Sequence, residues 1–129
     1  MADDEASEGV LRLAGDLGSI KLARDHVRRA CTGAGVAART CETAVLLTSE
    51  IVTNALVHAR SAPRLGLSLV PGRLRVEVED DDPARPGPVR DVHLGAGSGR
   101  GLRLVDQLSQ EWGITAADPG KVVWFTLGR

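Results

Sequence analysis

Ser49-Glu50-Ile51-Val52-Thr53-Asn54-Ala55-Leu56-Val57-His58-Ala59 decides how this chain is read. It closes a longer stretch, Ala38 to Ala59, that is apolar over most of a helical circumference through Val45, Leu46, Leu47, Ile51, Val52, Ala55, Leu56 and Val57. A helix of that kind must be covered on several sides. At 3.6 residues per turn, Glu50, Asn54 and His58 fall on one face of it. A carboxylate and a carboxamide are costly on such a surface unless they are hydrogen-bonded or meet a cation or water. The pair therefore suggests a polar pocket against the helix. The alternatives are that both groups bond to loop backbone or line an exposed strip, and for His58 a local hydrogen bond is the simpler reading. The stretch from Thr40 to Ala59 lacks Lys and Arg, but Glu42, Glu50 and Asn54 make it a buried helix of a soluble domain rather than a membrane span.

Around this helix the periodicity changes twice. Upstream, residues 1–9 are acidic and small and are expected to form a disordered head, with folded structure from Val10. Val10 to Leu13 reads as a short strand. Asp16 or Ser19 can cap a first helix, with Ile20, Ala23, Val27, Ala30 and Cys31 on one face, that stops by Gly33 or Gly35. Downstream, Leu65, Leu67 and Leu69 alternate, Pro71-Gly72 punctuates, and Leu74, Val76 and Val78 alternate again, the signature of an antiparallel hairpin. From Asp80 to Gly99 the apolar pattern gives way to Asp, Pro and Gly. A loop this long in a small domain is functional or disordered. A third helix is expected from about Arg100 to Gln110, then a second hairpin near Trp112 to Ala116 and Lys121 to Leu127. The order β, α, α, β, β, loop, α, β, β predicts an α+β fold. It is a two-layer α/β sandwich with three main helices on one face of a mixed, mostly antiparallel sheet, and residues 10–129 form one domain.

Composition narrows the function classes. The chain has 129 residues, 43% of them hydrophobic and 26% charged, which suits one globular domain. Only Trp112, Trp124 and Phe125 are aromatic, so stacking platforms for single-stranded nucleic acid are absent. With 16 basic against 17 acidic residues, no global field draws in nucleic acid or an anionic membrane. Cys31 and Cys41 lack C-x-x-C spacing and read as free thiols in a reducing compartment, not as a zinc site. The acidic start is unlike a signal peptide, so a cytoplasmic location is expected.

Two further features carry chemistry. Gly95-Ala96-Gly97-Ser98-Gly99-Arg100-Gly101 stands just before the third helix, where glycines admit close backbone approach and the helix N–H groups form an anion site. No Gly-Lys-Ser/Thr follows, and no strand precedes, so neither a Walker loop nor a dinucleotide fingerprint fits. A hinge with helix entry is the plainer reading. Asp80-Asp81-Asp82-Pro83 lacks the spacing of an EF-hand loop. It reads as a solvated turn, or as one Asp at a strand end accepting a hydrogen bond from an exocyclic amine.

Taken in order, an E-x-x-x-N helix, a strand ending in Asp, a long loop and a glycine-rich helix start resemble the Bergerat-fold ATPases: gyrase, the heat-shock chaperone, histidine kinases and mismatch-repair ATPases. The stretch Ser49 to Ala59 resembles the N-box of their single-domain branch, the anti-sigma-factor serine kinases. Gly99-Arg100-Gly101-Leu102-Arg103-Leu104-Val105-Asp106 resembles its second glycine box. The resemblance implies that Asn54 holds Mg²⁺ bridging the phosphates of ATP and that Glu50 is the catalytic general base. It implies that Asp80 reads the adenine amine, that Gly97, Gly99, Arg100, Gly101 and Leu102 receive the phosphates, and that Pro83 to Gly95 forms a lid. The family's first glycine box, D-x-G-x-G, is here Asp80-Asp81-Asp82-Pro83-Ala84, without its glycines. Val122 stands where the closing strand commonly carries Thr.

The resemblance further implies an ATP-binding regulator that phosphorylates Ser or Thr on an anti-anti-sigma protein in a partner-switching system, with a sigma factor as the other partner and a homodimer left open. The alternative is a non-catalytic module that sequesters its partner and binds nucleotide weakly or not at all. A detached histidine-kinase catalytic domain is less favoured, because no phospho-acceptor helix pair precedes the domain.

Overall fold

The computed structural model describes residues 8–58, 62–81, 99–117 and 120–129. In chain order the elements are β1 (Glu8–Arg12), α1 (Gly18–Gly33), α2 (Ala38–His58), β2 (Arg64–Val70), β3 (Arg73–Asp80), α3 (Gly99–Leu108), β4 (Glu111–Ala116) and β5 (Lys121–Gly128). The strands form one five-stranded sheet in the order β1-β2-β3-β5-β4. This is the expected α+β architecture. β1 begins at Glu8, ahead of the expected Val10, because Glu8 and Gly9 extend the backbone ladder opposite Ser68 and Leu67 without needing apolar side chains. The rest of the acidic head, the lid segment Pro83 to Gly95 and Gly97 lie outside the described residues.

All four strand pairings are antiparallel, where a mixed, mostly antiparallel sheet was expected. The connections explain it. Two helices separate β1 from β2, so the chain comes back to the end of the sheet it left and β2 must run the other way. A single helix separates β3 from β4, which makes those two strands parallel in direction, but β5 lies between them and is antiparallel to both.

Alternation along the strands sends one set of side chains toward the helices. Leu65, Leu67 and Leu69 on β2, Leu74, Val76 and Val78 on β3, and Val123, Phe125 and Leu127 on β5 are all buried. They meet Ala23, Val27 and Cys31 of α1, Ala44, Leu47, Ile51, Val52 and Ala55 of α2, and Leu102 and Val105 of α3. Phe125 is fully buried, and a side chain of that size contributes about 2–3 kcal/mol by leaving water. The opposite face of the sheet carries polar pairs. Arg64 meets Glu79 at 3.0 Å, and the Arg75 guanidinium lies 4.4 Å from the Trp124 ring centre.

The first helix starts differently from its expected cap. Leu17 occupies the N-cap position with no side-chain cap bond. Ser19 is instead buried, and its Oγ accepts the Gly15 N–H at 3.2 Å, so the hydroxyl ties the turn ahead of the helix. The first hairpin turns through Pro71-Gly72, with Gly72 at φ +83°, a conformation that favours glycine. Trp112 Nε1 donates to Asp106 at 2.8 Å and fastens α3 to β4. Cys31 and Cys41 are free, buried thiols, and burial together with the neighbouring Cys41 pushes the Cys31 thiol up to about 12. Among the described residues no helix is long and apolar enough to cross a membrane.

Candidate functional site

The chain direction of each element gathers the candidate residues at one end of the sheet. β3 arrives there at Asp80, β5 leaves from Lys121, α3 starts there at Gly99, and α2 reaches it with the turns that carry Glu50 and Asn54. α2 packs on α1, α3, β3 and β5. Val45, Leu46 and Ser49 line a groove with Arg24 and Arg28 of α1. Glu50 and Asn54, one helical turn apart, lie on the other flank of α2, turned away from α1.

Both residues are half-buried. The Asn54 Oδ1 is sealed from solvent and accepts no hydrogen bond from any described group. A buried carbonyl oxygen in that state costs about 1–3 kcal/mol, and a fold with no use for it has an easy substitute in Ala or Leu. An oxygen of this kind is also a suitable ligand for a hard cation such as Mg²⁺. Among the described residues no group of three or more His, Cys, Asp and Glu side chains could hold a metal ion by itself. Mg²⁺ at Asn54 would therefore take its remaining oxygens from a ligand's phosphates and water, the usual arrangement for that ion. The Asn54 oxygen fits the implied metal.

α3 begins at Gly99, and no acidic residue stands in its first turn. The N–H groups of that turn have no intrahelical partner and attract an anion. Gly99, Arg100 and Gly101 form this turn, so three of the expected phosphate-binding residues sit at the helix start. Leu102 is different. Its side chain is 1% exposed and belongs to the core, so only its backbone N–H is left for a ligand.

Asp80 ends β3 and is buried, as an adenine-reading carboxylate would be. Its charge is matched within the protein. Lys121, directly across the β3–β5 pairing, places Nζ 3.3 Å from Oδ1 and 3.1 Å from Oδ2. Gly120 fixes this corner: it has φ +92°, and a Cβ there would fall on the Asp80 carbonyl oxygen and the Asp81 Cα. Only glycine permits so close a passage of the β5 entry over the end of β3.

Lys121 is the residue that the sequence reading missed. Val122 is the residue expected where the closing strand commonly carries Thr. Strand alternation sends it to the face away from the helices, opposite Glu79 and Thr115, while Lys121 shares the inner face with Val123 and Phe125. A shift of one residue along a strand changes the face. The available signal was the glycine before it together with an Asp at the end of the partner strand.

An oxygen-bearing helix flank, a helix start and a buried carboxylate lie at one end of an antiparallel sheet, the arrangement expected of a Bergerat-type domain. Comparison with known proteins gives the family. Residues 13–127 match the family described as Histidine kinase-like ATPase domain, and the chain belongs to it. Among solved structures, the histidine kinase domain of the blue-light activated histidine kinase from Erythrobacter litoralis EL346 is 34% identical with a TM-score of 0.57. That likeness covers 71% of this chain and 46% of the other, so the chain spans about half the length of this relative. The mycobacterial sensor histidine kinase MprB shares the fold at 17% identity and a TM-score of 0.50, over 94% of this chain and 97% of its own. No curated protein matches the chain.

Proposed function

We propose that this domain binds Mg·ATP and transfers the γ-phosphoryl group to Ser or Thr of a partner protein of the anti-anti-sigma class, as a regulator in a partner-switching system. The observation that carries the reading is the buried, unpartnered Asn54 Oδ1 one turn from Glu50, on a helix that needs no polar group for its packing. The α3 start supplies N–H groups for the phosphates, and Asp80 is buried at the base-reading position. When bound, Mg²⁺ neutralises charge on the transferring phosphates. Glu50 accepts the proton of the partner's hydroxyl as that oxygen bonds to the γ-phosphorus and the bond to ADP breaks. Positioning, one base and one metal suffice for this reaction.

Mg·ATP titration of the wild-type chain and of Asn54→Ala tests the binding half. Saturable binding that falls at least about tenfold in the variant, about 1.4 kcal/mol, supports it. Transfer of labelled γ-phosphate to a partner, with Glu50→Ala as control, tests the chemistry; full activity in that variant removes Glu50 as the base.

A second reading, a partner-sequestering module with weak or absent nucleotide binding, is favoured by two observations. Asp80 is already charge-matched by Lys121, and the glycines of the first box are replaced. A wild-type chain that binds a partner tightly and shows no saturable nucleotide binding would establish it.

A further inference from the structure

Charge is unevenly placed in this chain. Its net charge is −1, yet α1 carries Lys21, Arg24, Arg28 and Arg29 against Asp25 alone. α1 and α2 pack side by side and antiparallel, joined through residues 34–37. The Cys31 and Cys41 thiols are hydrogen-bonded across the seam and set its register, so Arg24 stands about level with Ser49 and Arg28 with Val45. Beside this seam lies a groove of about 320 Å³, lined by Arg24, Arg28, Glu42, Val45, Leu46 and Ser49. Leu46 is 41% exposed there, next to the buried Val45, so the floor is apolar. Among the described residues Arg24 makes no ion pair, and Arg28 has only Asp25 at 3.7 Å. The two guanidiniums stand one turn apart on one rim, and the Ser49 hydroxyl adds a donor at the Arg24 end. Glu42 marks the Arg28 end.

We propose that the α1–α2 groove is a docking surface for an acidic amphipathic helix of a partner protein, with a carboxylate held by Arg24 and Ser49 and an apolar side chain over Val45 and Leu46. An enclosed small molecule is a poor match, because Arg24, Glu42 and Leu46 are exposed and would leave most of it in water. An apolar strip rimmed by guanidiniums matches instead a helix that offers an apolar side chain and a carboxylate one turn apart. Charge complementarity selects that occupant, since a basic helix would bring its cations against Arg24 and Arg28. Glu42 sets the direction, because an acid at its end of the groove meets a like charge. The groove lies on the flank of α2 away from Glu50 and Asn54, so a docked helix leaves both accessible. The inference does not depend on nucleotide binding and holds for a phosphotransferase and for a sequestering module alike.

The test is selection of a helical peptide library on the wild-type chain in the absence of nucleotide, followed by affinity measurements on the recovered peptides. These are expected to carry Asp or Glu one turn from an apolar residue, and to lose at least about tenfold in affinity on Arg24→Glu and on Leu46→Glu. Gln in place of the peptide's acid should weaken binding to the wild type at least about fivefold and change little on Arg24→Glu, which assigns the contact to those two groups. If Leu46→Glu does not fold, Arg24→Glu at its exposed position still decides. No recovered peptide, peptides without that pattern, or equal affinity for wild type and Arg24→Glu overturns the inference. A wild-type dimer that Arg24→Glu dissociates overturns it by making the occupant a second copy. Peptide binding that emerges only in the Asp3→Asn, Asp4→Asn, Glu5→Gln variant overturns it by placing the chain's own acidic head in the groove. Each of these outcomes leaves the result of the Mg·ATP titration standing on its own.

Discussion

The two ends of the sheet are built on opposite terms. At the end where β2 turns into β3, Arg129 closes the polar accounts of three segments at once. Its Nη2 donates to the Ala34 carbonyl at 2.9 Å, its Nη1 to the Val70 carbonyl at 3.3 Å, and its backbone N–H to the Gly72 carbonyl at 3.2 Å. Those bonds tie the end of α1, the β2–β3 turn and the end of β5 together. At the other end, the Asn54 Oδ1 is buried without a partner, a charged pair is held out of water, and Gly120 passes over Asp80 in a backbone conformation that side chains rarely adopt. At the first end Arg129 ties three backbone carbonyls together, although the Ser109 and Thr126 hydroxyls there are buried without a described partner. The other keeps polar groups that a ligand can use, and that contrast is where stability and function separate in this fold.

The comparison can be broken most forcefully at Gly120. Gly120→Ala places a methyl group on the Asp80 carbonyl at an unfavourable φ, so a loss of more than about 3 kcal/mol is expected in urea denaturation. A variant as stable as wild type would mean that the corner has room the structure does not show. Asn54→Ala should separate the two ends next: Mg·ATP affinity falls at least about tenfold, while stability changes by less than about 1 kcal/mol, because removing an unsatisfied buried oxygen offsets the lost packing. A large stability loss with unchanged binding would reverse the roles assigned to that residue. Arg129→Ala should do the converse, lowering stability by about 1 kcal/mol with no effect on nucleotide binding.

The last expected effect is a pH dependence, absent at neutral pH. Cys31 is pushed up to about 12 in the folded chain, from an ordinary value of 9.0, chiefly by burial. The unfolded chain releases this proton first, so stability falls as pH rises above 9, by at most about 1.4 kcal/mol per pH unit for one proton. Cys31→Ala should flatten that part of the profile between pH 9 and pH 10. Identical slopes in the two proteins would show that Cys31 ionises in the fold as readily as in the open chain.

Most of the architecture was legible from local pattern. The alternations at Leu65 to Leu69 and Leu74 to Val78 gave the first hairpin, and the apolar stretch from Ala38 gave α2 nearly to its last residue, because side-chain period is a property of neighbours in sequence. Glu50 and Asn54 were found the same way, as polar groups breaking an apolar helix. The start of α1 was not, because Ser19 faces inward and bonds backward to Gly15, a choice made by the turn it packs against. Lys121 was missed because the relevant partner, Asp80, lies far away in sequence and is adjacent only through the β3–β5 register.

By itself, then, the sequence determined the elements, their order and the polar flank of α2, since each follows from spacing along a few turns or strands. Tertiary structure decided that the sheet is antiparallel throughout, that Lys121 and not Val122 lies on the helix-facing side of β5, and that Asp80 is met by a cation. Those outcomes depend on strand register and on which segments the helices bring to one end, and pairing across a sheet carries no mark in the spacing of either strand alone.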